Sequence, residues 1–107
     1  MTFIERLRAA AATDLEFWDR RRPPKKNVSR SSFLRLLKLL DENIEPRWSD
    51  RESKAGKHGL DGEEKVFSFT ASITSMGKTR SVYVKGFFFT KENPVGVEIQ
   101  SCRFDED

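Results

Sequence analysis

The sequence predicts an α+β domain in which two N-terminal helices pack on one face of a three-stranded antiparallel β-meander. Three features carry that expectation. Apolar residues recur at helical spacing in two stretches before Pro46. From Lys65 onward the hydrophobic period becomes two, as in a strand with one buried face. Turn signals at Gly77 and around Pro94 then cut the alternating part into three runs. At 107 residues the chain is expected to be a single domain over its whole length, with a small core built largely from its nine phenylalanines.

The elements follow in order. Thr2, with Glu5 three residues on, fits a capping box. Phe3, Ile4, Leu7, Ala10 and Ala11 then fall on one helical side. Thr13 and Glu16 repeat the box, with Leu15, Phe17 and Trp18 as an apolar side. A first helix is therefore expected over about residues 2–20, continuous or restarted. Pro23 and Pro24 end it, because a residue before proline is pushed to extended geometry. Ser31 or Ser32 is expected to cap a second helix over about residues 31–44. Phe33, Leu36, Leu37, Leu40 and Ile44 form its buried stripe, and Arg35, Lys38, Asp41 and Glu42 face water. Pro46 stops it. Residues from about 47 to 64 are polar, charged and glycine-containing, and read as a long mobile loop. Strands are expected over about 65–73, 80–90 and 95–104.

Composition excludes several classes. No run of about 18 apolar residues occurs, so no membrane-spanning helix and no membrane partner are expected. The first eighteen residues mix acids and arginines into the apolar stretch, unlike a signal peptide. The single cysteine, Cys102, has no second cysteine for a disulfide or a zinc site. A reduced, cytoplasmic setting is the simple reading, with no metal and no cofactor expected. The net charge of +3 is uneven: residues 1–60 hold 14 Lys/Arg against 9 Asp/Glu, and the rest hold 6 against 8. The basic excess in the first half suits a polyanion or an acidic protein face, although surface charge also serves solubility alone.

The run SVYVKGFFFT, Ser81 to Thr90, raises the sharpest question. If Val82, Val84, Gly86 and Phe88 face the helices, then Tyr83, Lys85, Phe87 and Phe89 face away. In the last strand, Val97, Ile99, Ser101 and Arg103 fall on one side and Glu98, Gln100, Cys102 and Phe104 on the other. Gln100 is then expected beside Lys85, and Arg103 with the core set unless the strand bends. Bases stack on aromatic faces, and cations neutralise phosphate. A lysine beside a charged transition state can promote RNA cleavage, which needs no metal if the 2′-hydroxyl attacks. A lysine on a half-exposed strand is also ordinary surface chemistry.

A second basic feature is DRRRPPKKNVSR, which places Arg20, Arg21, Arg22, Lys25, Lys26 and Arg30 within eleven residues. Its prolines keep it extended, so phosphates of a flexible strand can track along it. An acidic protein partner fits it equally. Trp18, just before, is core or a stacking platform. His58, the only histidine, lies between two glycines in the polar loop and lacks a partner at catalytic spacing. Cys102 reads as a buried, inert strand residue. SMGKT lacks the upstream glycine of a phosphate loop.

Two helices, a basic linker with KKN at Lys25 to Asn27, a central strand reading VYVKGFFF and a last strand ending IQSCRFDED resemble the small RelE/MqsR-type messenger-RNA-cleaving toxins of toxin–antitoxin pairs. SCRF stands where part of that group has a histidine-containing run. The resemblance implies a metal-independent endoribonuclease, an antitoxin partner, and a site of Tyr83 and Lys85 with Gln100 and Arg103 as companions. Flanking RNA would lie on the Arg20–Arg30 loop and on Phe87. The rival expectation is a non-catalytic protein-binding module, of the phage-inhibitor or immunity-protein kind, using an exposed Tyr83/Phe87/Phe89 face. A homodimer through the free edge of the third strand is a further option.

Overall fold

Each helix begins where a hydroxyl side chain can accept from its first turn. In the computed structural model, which describes residues 1–17, 28–51, 61–90 and 95–104, helix α1 spans Phe3–Thr13. The Thr2 hydroxyl accepts from the Glu5 N–H at 3.1 Å, and the Glu5 carboxylate accepts from the Thr2 N–H at 2.8 Å. Helix α2 spans Arg30–Leu37, and its cap is Ser29 rather than Ser31 or Ser32. The Ser29 hydroxyl accepts from the Ser32 N–H at 3.2 Å.

Both helices are shorter than expected, and each ending has a physical cause. Thr13 closes α1 instead of capping a restart, and Asp14 is already extended. Leu15–Phe17 then forms strand β1, whose entry is fixed by the Val97 N–H donating to the Asp14 carbonyl at 2.9 Å. Non-local pairing thus overrides a helical pattern that was only local. At the end of α2, the Arg8 guanidinium reaches across from α1. It donates to the Leu37 and Leu40 carbonyls, each at 2.9 Å. The Leu37 carbonyl is an acceptor that the helix end leaves without an intrahelical donor, and the Leu40 carbonyl lies in the turn that follows. Leu40 still enters the core, and Ile44 packs against it, although neither is in the helix.

Among the described residues the sheet has five strands in the order β1-β5-β4-β3-β2. Strands β3 (Lys65–Ser75), β4 (Lys78–Phe89) and β5 (Gly96–Phe104) form the expected antiparallel meander. The β3–β4 turn places Met76 and Gly77 at φ 53° and 80°, the left-handed pair that a two-residue hairpin turn requires. The sheet is wider than expected at both sides. β1 lies parallel on β5, and Arg47–Asp50, part of the expected mobile loop, forms β2 antiparallel to β3. The rest of the expected loop, 52–60, lies outside the described residues. β1 pairs with Val97–Ile99 of β5, and the Val28 N–H donates to the Cys102 carbonyl, so part of the third meander strand's outer edge is occupied by the chain itself.

Both helices cover one sheet face. Ile4, Leu7, Phe33, Leu36 and Leu37 join Phe67, Phe69, Val82, Val84 and Phe88 in a single buried cluster. Phenylalanine dominates its centre. Phe67 meets Phe3 at 5.0 Å and Phe88 at 5.2 Å between ring centroids, separations at which aromatic pairs attract. None of the described helices is long and apolar enough to cross a membrane.

Candidate nucleic-acid interface

The face turned away from the helices splits into two ends. At one end Val66, Phe87, Phe89 and Glu98 are buried. A Cβ on Gly62 would meet the Phe87 ring at 2.3 Å, and the Arg51 guanidinium stacks 4.5 Å from that ring's centre. Phe87 therefore points as alternation requires, but it is 1% exposed and gives no access to a base. The same burial removes the Phe87/Phe89 surface on which a protein-binding reading of this face depended.

The other end is polar and solvent-facing. Val82 and Val84 turn inward, so Tyr83 and Lys85 turn outward, as alternation predicts. Register sets their neighbours. Arg47 of β2, Ser68 of β3, Lys85 of β4 and Ser101 of β5 stand side by side across four strands. One step along, Thr70, Tyr83 and Arg103 form the next row. The Arg103 guanidinium lies 5.5 Å from the Tyr83 ring centre, within cation–π range. No described carboxylate stands in either row.

Arg103 reaches this face because the register slips by one residue between Lys85 and Gly86. Lys85 pairs with Ser101 and Gly86 with Ile99, which leaves Gln100 as the extra residue of a β-bulge. The slip reverses the parity of β5. Cys102 turns into the core, and Ser101 and Arg103 turn out. Gln100 is thus not the companion of Lys85 that simple alternation expects; Ser101 is. Gly86 permits the bulge, since a Cβ there would come 2.4 Å from the Glu98 carbonyl oxygen. Alternation alone also misses Arg47 and Ser68. The sequence holds one sign of the slip, an isolated glycine inside a strand.

Arg30, the remaining predicted site residue that the structure describes, lies away from this face. It is on α2, where its guanidinium donates to the Leu15 carbonyl at 2.6 Å and sits over the Phe17 ring. It serves the β1–α2 junction. Arg20, Arg21, Arg22, Lys25 and Lys26, with Trp18 and His58, lie outside the described residues. Cys102 is fully buried, and burial pushes its thiol up to about 12, so it stays protonated. Among the described residues no three His, Cys, Asp or Glu side chains gather to hold a metal ion. No family model, no curated protein and no solved structure matches this chain.

Proposed function

We propose that the polar end of the outer sheet face binds single-stranded RNA. Lys85, Arg103 and Arg47 would neutralise successive phosphates, and Tyr83 would stack a base or meet a ribose. The observation that carries this reading is the pair of adjoining rows, with three cations, four hydroxyl side chains and no described carboxylate. A cationic, hydroxyl-rich strand surface with one aromatic ring matches what single strands offer: phosphates, 2′-hydroxyls and unstacked bases.

Cleavage is the finer part of the proposal, in keeping with the resemblance to metal-independent toxin ribonucleases. The RNA's 2′-oxygen attacks the adjacent phosphorus while the bond to the next nucleotide's 5′-oxygen breaks. Lys85 and Arg103 hold the charge that builds on the phosphoryl oxygens. The 2′-hydroxyl proton leaves to solvent, and the Tyr83 hydroxyl gives a proton to the departing oxygen and regains one from water. The products are a 2′,3′-cyclic phosphate and a 5′-hydroxyl. A protein acting in this way works in the cytoplasm and needs a cognate inhibitor, the antitoxin of such a pair.

The test mixes purified protein with a short single-stranded RNA in EDTA and reads the mixture on native and denaturing gels. The reading expects a retarded complex and cut strands with cyclic ends; Lys85→Ala should abolish the cutting and weaken the complex. A complex without cutting removes the ribonuclease part and leaves an RNA platform. No complex at low salt removes both.

A further inference from the structure

A groove of about 540 Å³ lies on the helix side of the sheet, between α2 and the tip of the β3–β4 hairpin. Arg35 comes from the helix, and Lys78 and Arg80 come from the hairpin. Among the described residues no carboxylate lines it, and none of the three cations is ion-paired to a described carboxylate. The Arg80 guanidinium instead lies 4.1 Å from the centre of the Phe104 ring. Leu36 and Ile73 form the deeper, buried part, while Leu39 is 47% and Met76 97% exposed at the rim.

We propose that this groove docks an acidic amphipathic helix of a partner protein. Charge complementarity selects the acid: three cations without a counter-charge among the described residues favour a partner rich in Asp and Glu. The apolar lining selects the amphipathic form, since Leu39 and Met76 stay wet until another apolar surface covers them. Concavity selects a peptide over a bilayer. A flat lipid surface touches the hairpin tip but cannot reach Leu36 and Ile73, whereas a helix about 10 Å across can lie between two walls. The groove opens on the opposite face from Tyr83 and Lys85, so the inference stands apart from the RNA reading.

The experiment selects binders to the full-length chain from a random 16-residue peptide library, then measures the strongest peptide by fluorescence anisotropy. Selected sequences should carry an acidic excess, with Leu, Ile or Phe spaced three and four residues apart. The Arg35→Glu/Arg80→Glu variant should weaken that peptide at least about tenfold. Leu39→Asp, a change at an exposed position that leaves the fold intact, should weaken it comparably, and Lys85→Ala should leave it unchanged. The proposal is overturned if no peptide is selected, if the selected peptides lack acids, or if both groove variants bind them like wild type. It is also overturned if single-stranded RNA affinity falls further in Arg35→Glu/Arg80→Glu than in Lys85→Ala. Binding of the chain to phosphatidylserine vesicles, if Met76→Asp abolishes it, would overturn the proposal as well.

Discussion

Replacing Gly86 by alanine strikes the joint that turns Arg103 toward Tyr83. The added methyl would sit 2.4 Å from the Glu98 carbonyl oxygen and 3.2 Å from the Ile99 Cα. Both are backbone atoms of β5, so neither can swing aside as a side chain would. Overpacking of this sort costs about 1–3 kcal/mol, and rigid neighbours place Gly86→Ala near the upper end. Alanine also narrows the unfolded ensemble, which offsets about 0.4–1 kcal/mol. The net loss is about 2 kcal/mol. Unfolding entropy of about 2.1 cal/mol/K per residue converts this to a fall of about 9 °C in Tm for a chain of this length. Thermal unfolding followed by far-ultraviolet circular dichroism reads it directly. An unchanged or raised Tm would refute the argument that Gly86 is needed for the close approach of β5 at the bulge.

Three further outcomes follow from the geometry. Arg8→Ala removes the guanidinium from the Leu37 and Leu40 carbonyls, and should cost about 1.5–3 kcal/mol by urea unfolding. Arg8→Lys, which cannot reach two carbonyls with a fork, should recover only part of it. Gly77→Ala meets no atom within 4 Å, so its loss comes from the left-handed φ of 80° alone and should be about 1 kcal/mol. Cys102 is held protonated by burial, up to about 12 against an ordinary value of 9.0. Between those values the unfolded chain loses a proton that the folded chain keeps, so stability is full below about pH 9 and falls as pH rises above it. Cys102→Ala should flatten that alkaline decline, and a thiol reagent should label the wild type only as fast as it unfolds.

The hydrophobic periods were legible because each is local. The buried sides of α1 and β3, the hairpin at Gly77 and the outward turn of Tyr83 and Lys85 all stand as spacing predicts. What escaped depends on contacts distant in sequence. Leu15–Phe17 reads as helix until β5 offers it a partner. Arg47–Asp50 has four exposed residues and so no hydrophobic period to betray a strand. Alternation put Arg103 with the core, and a single inserted residue at Gln100 reversed it. Phe87 and Phe89 face outward as predicted, but the spacing of a strand does not say that Gly62 and Arg51 will lie over the Phe87 ring.

The salt dependence of RNA binding separates a phosphate-holding sheet face from an idle polar one. Anisotropy of a labelled single-stranded RNA, measured from about 50 to 200 mM salt, gives the slope of log affinity against log salt, expected at about −0.7 per phosphate neutralised. Lys85, Arg103 and Arg47 together should give wild type a slope of about −2 or steeper. Lys85→Ala and Arg103→Ala should each make it shallower by about 0.7, and Arg30→Ala, on the helix side, should not. Slopes that Lys85→Ala and Arg103→Ala leave at the wild-type value would contradict an RNA site on this face.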